Sequence, residues 1–249
     1  MKHYFLFVAL LSFNLCSAQK EVTGDDVKYN FFGVSISYGF NNPAGDLADR
    51  FGRHNEAGLG MEYHIPNKNL IIFSEAKLMF GDKVREQPIG NLLTASGNIL
   101  GSDSRYASVF LRMRGHYWGV GITKTILTDN IGKGLRLDAS LGLLSHYIRV
   151  QDDSKSVPQV SGNYLKGYDR LTRGPALKQR IGYNYVNSSR KVFLSIAFEI
   201  TEAFTKGKRP LNFDTGTTDN SARLDLIYGF NVKYTLPLKS FAPAGEIYY

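Results

Sequence analysis

From Phe32 to Phe40 the chain alternates Phe32, Val34, Ile36, Tyr38 and Phe40 with Gly33, Ser35, Ser37 and Gly39. A period of two puts successive side chains on opposite faces of an extended backbone, so the segment reads as a strand with one apolar and one small polar face. Toward the other end Leu224, Leu226, Tyr228, Phe230, Val232, Tyr234 and Leu236 alternate with Asp225, Ile227, Gly229, Asn231, Lys233 and Thr235. That strand outruns the roughly 5 or 6 residues usual in soluble proteins and suits a tilted membrane-crossing strand of about 9 to 11.

Six more segments share the pattern. Leu59, Met61, Tyr63 and Ile65 alternate with Gly60, Glu62 and His64, and the set Leu70, Ile72, Ser74, Ala76, Leu78 and Phe80 opposes Glu75 and Lys77. Val109, Leu111 and Met113 oppose Arg112, Arg114 and His116, after which the apolar register moves to Trp118, Val120 and Ile122; a bulge near Tyr117 is predicted to absorb the slip. Leu135, Leu137, Ala139, Leu141 and Leu143 oppose Arg136, Asp138, Ser140 and Gly142. Leu177, Ile181, Tyr183 and Tyr185 oppose Lys178, Arg180, Gly182 and Asn184. Val192, Leu194, Ile196, Phe198 and Ile200 oppose Ser195, Ala197, Glu199 and Thr201.

The connections are unequal in a regular way. Those over 41–56, 81–107, 151–174 and 205–222 are long, and those over 66–69, 126–134 and 187–190 are short. This alternation puts all elaboration at one end of a meander, as in outer-membrane barrels with tight periplasmic turns and long outer loops. The fold expected is therefore all-β, an eight-stranded antiparallel up-and-down transmembrane β-barrel. Lipid is favoured over water outside it because the apolar faces are long and the opposite faces are rich in Gly and Ser. Aromatic residues also gather near strand ends: Tyr29, Phe31, Phe32, Tyr63, Trp118, Tyr183, Tyr185 and Tyr234 are candidates for interfacial girdles. The alternative is a secreted β-sandwich or a lipocalin-like binder.

On the barrel reading the luminal charges are Glu62, Glu75, Lys77, Arg112, Arg114, Arg136, Asp138, Lys178, Arg180, Glu199, Asp225 and Lys233. Eight strands leave a lumen that side chains fill, so these should form paired ladders in a plugged interior. Seven cations against five anions leave two positive charges in want of a partner. In one register Arg136 and Asp138 face Arg114 and Arg112, with Glu75 close by.

The start of the chain adds a compartment. Lys2 and His3, the apolar stretch Tyr4 to Leu15, and Cys16-Ser17-Ala18 before Gln19 follow the order of a secretory signal peptide. The organisation expected is a leader over 1–18, a polar lead-in over 19–28, the barrel over 29–238 and a periplasmic tail over 239–249. A buried N-terminal helix and lipidation at Cys16 are the alternatives, the second disfavoured by Phe13-Asn14-Leu15. Cys16 is the only cysteine, which leaves the exported chain no disulfide and no thiolate metal site. The chain carries 30 basic and 22 acidic residues, +8, and loss of Lys2 with the leader lowers this to +7. In an exported protein such a balance suits anionic lipid or polysaccharide better than nucleic acid.

Chemistry is sparse. Ser145 and His146 are adjacent, so on a strand they point to opposite faces and cannot act as nucleophile and base; His146 is placed near the outer rim in water. Glu62 and His64 share a face but lack an evident third metal ligand. Gly45 to Gly52 reads as one helical turn, with Leu47 and Phe51 on one side, capping the outer mouth. Tyr164, Lys166, Tyr168, Arg170 and Arg173 form an aromatic and cationic mixture in an outer loop that could meet sugars or phosphate. No catalytic set, metal site or cofactor is expected.

The leader ending at Ser17-Ala18, the eight alternating segments and the long-short rhythm together resemble small outer-membrane β-barrels of the Bacteroidota type, with the architecture of OmpA, OmpX and OmpW-like proteins. The resemblance covers about Tyr29 to Leu238 and carries no diagnostic catalytic motif. It implies assembly by the outer-membrane insertion machinery, which would read either Tyr228 to Leu236 or the terminal Tyr248-Tyr249. The partners expected are outer-membrane lipid and lipopolysaccharide, that machinery and other envelope proteins, with no nucleic acid. A non-enzymatic structural role, or a place in an envelope or secretion assembly, is the expected function; a lipid-modifying enzyme or small transport barrel is the alternative.

Overall fold

A computed structural model describes residues 30–128, 132–187 and 193–241, without the side chains of 239–241. The expected leader and lead-in, Tyr29, Val192 and the terminal tyrosines lie outside these residues. Eight long strands succeed one another: β1 Asn30–Gly45, β2 His54–Ile65, β3 Leu70–Gly81, β4 Val109–Ile126, β5 Gly134–Asp152, β6 Thr172–Val186, β7 Phe193–Gly207 and β8 Ala222–Phe241. Each pairs antiparallel with its neighbours in sequence, and β1 closes on β8, so the ring runs β1-β8-β7-β6-β5-β4-β3-β2. Closure leaves no free edge along the ring.

Several strands outrun their apolar pattern. β1 continues past Phe40 to Gly45, and β8 continues past Leu238 to Phe241, which pairs with Asn30. Ladder bonds use the backbone, so Asn41, Asn42 and Asp225 extend the rungs where no apolar side chain marks them. The long connections sit at one end, called the mouth; the end carrying Asn30 and Phe241 is the floor.

The parity of side chains decides which medium each face meets. Met61, Leu78 and Leu141 on the outside are each 66% exposed, whereas Lys77 and Lys178 on the inside are 2% exposed. The usual arrangement of a water-soluble domain is thus turned inside out.

β4 corrects one expectation. It runs against β3 and β5 without a register shift, so there is no bulge at Tyr117; the break in the barrel ladders falls between Phe32 and Gly33, against β8. With one parity throughout, Val109, Leu111, Met113 and Tyr117 face inward, and Arg112 and Arg114 face outward. The apolar residues change faces because the lumen changes character. Near the mouth it is dry and accepts Met113 and Tyr117, while farther down β4 the outward face carries Trp118, Val120 and Ile122. Phe31, expected in a girdle, also points inward and stacks on His64 at 4.2 Å.

The dry part of the lumen is sealed by the first connection. A one-turn helix α1, Asp46–Arg50, sets Leu47 and Phe51 into a cluster with Met79, Met113, Tyr117, Leu144, Ile148 and Ile227. Above it Ile89, Ile99, Val157, Val160 and Tyr168 from the loops and Val150 near the end of β5 form a second small core. Inward glycines make room for the larger side chains: a Cβ on Gly142 would lie 2.8 Å from the Tyr117 ring. That space lets the Tyr117 hydroxyl reach along the neighbouring strand β5 to Ser140 Oγ at 2.9 Å.

Candidate functional site: a charged lumen under a tied cap

Below the apolar seal the lumen holds a central ionic network with a smaller polar cluster at either end. Lys77 donates to Glu56 and, at 3.2 Å, to Glu199, while Lys178 reaches Glu56 at 3.3 Å. Arg180 spans three carboxylates: Glu75, Asp138 at 3.2 Å and Glu199 at 3.3 Å. Arg136 forks onto Asp138 through Nε at 3.0 Å and Nη2 at 2.6 Å, and its remaining donors serve Asn184, Ser195 and Thr123. At the floor Glu62 accepts from Lys233, Thr235 and His64. Under the mouth Asp225 accepts from Thr205 at 2.5 Å and lies 2.8 Å from His146 Nε2.

Alternation brings these groups together. Their strands interleave small residues at facing rungs, so each long side chain finds a partner within the lumen and charge is buried only in company. Arg136 and Asp138 pair across the ladder with Thr125 and Thr123, not with the arginines expected there, which have turned outward. Glu56, left in a loop by the sequence reading, belongs to the network, and so the balance reverses. Lys77, Arg136, Lys178, Arg180 and Lys233 face Glu56, Glu62, Glu75, Asp138, Glu199 and Asp225, one acid in excess where two cations in excess were expected. Two of those acids, Glu62 and Asp225, take a histidine as partner.

His146 is therefore not a wet rim residue. It is 1% exposed, points inward and meets the edge of Phe51. Ser145 lies on the opposite face, so the adjacent pair forms no nucleophile and base. The even parity of Glu62 and Gly58 continues back two and four residues to Glu56 and His54, and that spacing is the signal that marks both as inward.

Among the described residues the lumen is packed with side chains. A cavity of about 10 Å³ between Glu62, His64, Arg136, Asn184, Ser195 and Thr235 holds about one water. Below it Phe31, His64 and Phe193 pack their rings together. Among the described residues no group of three His, Cys, Asp or Glu side chains is placed to hold a metal ion.

The loop candidates do not share a surface. Tyr164 and Lys166 are exposed, Tyr168 is buried edge-on to Phe213, Arg170 is buried in ion pairs, and Arg173 lies on the outer wall of β6. Arg170 instead helps to tie the cap. Glu86 binds Arg50 at 2.5 Å and Arg170 at 2.6 Å, Arg170 also binds Asp214, and Arg50 donates to the Arg170 carbonyl and Thr172. Asp219 binds Arg223, and Arg209 binds Asp169. One carboxylate and two guanidiniums thus join residues from all four long connections.

Glu86→Gln should loosen that knot. With Glu86 partly in water, the loss is about 1 to 2 kcal/mol, read as faster cleavage of the long connections by added protease while the barrel stays intact. Acid should act in the same direction through Asp219. Burial pushes its carboxyl up, but the Ser221 N–H and the Arg223 guanidinium outweigh this and hold it below the ordinary aspartate range. Its stabilisation is present above the unfolded value near pH 4 and is lost as pH falls through the lower folded value. Protease sensitivity that stayed flat from pH 7 to pH 2 would contradict the assignment.

No protein-family model matches the chain, and no curated protein matches it. Among solved structures it is similar to Ail, the attachment invasion locus protein of Yersinia pestis, at 9% identity over 84% of this chain and 99% of that one, with a TM-score of 0.45. It is also similar to the N-terminal β-barrel domain of Pseudomonas aeruginosa OprF, at 10% identity over 82% and 97% of the two chains and a TM-score of 0.37. The outer membrane protein OprG of the same organism gives 10% identity over 84% and 96%, with a TM-score of 0.37. No residue role is carried over from these proteins; the closed antiparallel ring of this chain's own strands defines its fold.

Proposed function

We propose that the chain is an integral outer-membrane β-barrel with a closed lumen, acting without catalysis as a structural element of the envelope or as a subunit of an envelope or secretion assembly. The inversion of its faces carries the reading. A belt of exposed Leu, Ile, Phe, Met and Tyr side chains encircles paired lysines, arginines and carboxylates, an arrangement stable in lipid and costly in water. Export follows from the leader pattern ending at Ala18, with Gln19 as the mature start and both ends of the chain in the periplasm, so the mouth faces outward. That leader, the eight alternating segments and the long-short rhythm of the connections together support the Bacteroidota type.

Two observations weigh against the alternative of a lipid-modifying enzyme or transport barrel. The His146–Asp225 pair is sealed beneath Phe51 with Ser145 on the other face, and the described residues fill the lumen with buried side chains. The test uses full-length protein refolded into vesicles. A mobility shift between unheated and boiled samples, resistance to carbonate extraction and no steady conductance in planar bilayers are expected. Recovery as a soluble periplasmic protein would overturn the membrane reading, and steady conductance or acyl release from lipid A would overturn the closed, non-catalytic one. Purification in mild detergent distinguishes a free barrel from a subunit by whether a fixed partner comes with it.

A further inference from the structure

On four adjacent strands the outer wall changes character just above the apolar belt. On β4 the run Ile122, Val120, Trp118 gives way toward the mouth to His116, Arg114 and Arg112. On β5 Leu143 is followed by Ser145, Tyr147 and Arg149; on β6 Arg173 precedes Pro175; on β7 Lys206 follows Phe204. The ladders set these residues side by side. Arg112 is opposite Arg149 and Arg114 opposite Tyr147, while Ser145 lies between His116 and Arg173, and Arg173 is opposite Lys206.

Five permanent cations on one outer face have no carboxylate partner among the described residues. Arg112 bonds only to the Gln151 amide oxygen at 3.1 Å and Arg114 to its neighbour's carbonyl, and Arg149, Arg173 and Lys206 form no ion pair. Glu202, the outward acid on these strands, sits between Leu177 and Leu226 and pairs with none of them. The contrast with the lumen is sharp, since every luminal cation there has at least one carboxylate. Like charges on facing rungs repel, so an external anion is needed to make the array favourable. The array is also one-sided: Lys206 faces Ala222 on β8, and the rungs that run on from Arg114 carry Phe80 on β3, Asn55 on β2 and Phe40 on β1.

We propose that this face binds the phosphates of the glycolipid in the outer leaflet, with Arg112, Arg114, Arg149, Arg173 and Lys206 around the headgroup and Trp118, Leu141 and Leu143 beneath its acyl chains. The inference rests on the outer-membrane reading and names a partner for it. Guanidinium forks match phosphate oxygens in pairs, and long basic side chains rise from an apolar wall to the headgroup level. A soluble anion would leave unused the apolar strip directly below the charges; a phosphorylated lipid covers both.

The test refolds full-length protein into phosphatidylcholine nanodiscs containing either bis-phosphorylated lipid A or the same lipid dephosphorylated. The discs are then exchanged into mild detergent and the lipid A remaining per barrel is measured. Phosphorylated lipid should be retained and dephosphorylated lipid lost, with retention weakening as NaCl rises. Arg112→Ser with Arg149→Ser should weaken binding about fivefold for each arginine removed, and Arg53→Ser, on the other side of the barrel, should not. Equal retention of the two lipids, or retention unchanged in the double variant, overturns the proposal. The gel-mobility shift is followed in parallel: wild-type protein without it would fault the barrel reading instead. A double variant that failed to fold leaves the wild-type lipid and salt comparisons to decide.

Discussion

Glu199→Ala should lower the unfolding free energy by about 3 to 5 kcal/mol in reversible urea unfolding from vesicles, the largest loss of any single luminal carboxylate. Glu199 is 1% exposed and lies within 4 Å of Lys77, Lys178 and Arg180, so truncation leaves three buried cations with less countercharge than they were folded with. Lys77 and Lys178 retain only Glu56 at close range, with Glu75 3.8 Å from Lys77. Glu199→Gln keeps the shape and one acceptor oxygen and should lose less, which separates lost charge from lost packing. A loss under about 1 kcal/mol for Glu199→Ala would mean that the lumen is wet and its charges solvated.

Leu141→Arg tests the opposite face and should cost about 2 to 4 kcal/mol in the same assay, with slower insertion into vesicles. Leu141 points away from the lumen and sits in the ladder between Val120 and Leu177, inside the apolar belt. A guanidinium there has no carboxylate to meet and must reach for the interface. The two substitutions state opposite rules for charge on adjacent faces of one sheet. A harmless Leu141→Arg would remove the lipid from that face.

The limits of sequence reading follow from what each residue's neighbours are. Alternation reports parity, and parity holds along an unbroken strand, so Glu75, Lys77, Arg136, Asp138, Lys178, Arg180, Glu199 and Lys233 could be put on one side from spacing alone. The inference failed where it equated apolar with outward. Met113 and Tyr117 are apolar or nearly so and face inward, because Leu47 and Phe51 descend from the first connection and dry that part of the lumen. Nothing local to β4 announces a helix sixty residues earlier in the chain, so Arg112 and Arg114 were assigned to the wrong face. Glu56 and His146 were missed for a related reason: polar residues near a strand end look like loop or rim until the rungs are counted. The loop residues divide in the same way. Tyr168 and Arg170 have the composition of a ligand surface, but Phe213, Glu86 and Asp214, which claim them, come from other connections.

The long connections are knotted at their bases and open at their tips. Gly97 and Gly216 sit in exposed turns with positive φ and no atom within 4 Å of where a side chain would begin. Both turns close on themselves, through Gly97 N–H to Thr94 and Gly216 N–H to Asn212; the first holds no member of the Glu86 knot, whereas the second carries Asp214, the partner of Arg170. A foreign peptide spliced at Gly97 would be carried above the cap without loosening it, which makes that turn a natural frame for displaying sequence. It also means that the Gly97 tip can drift in evolution far faster than the residues that hold the lid shut.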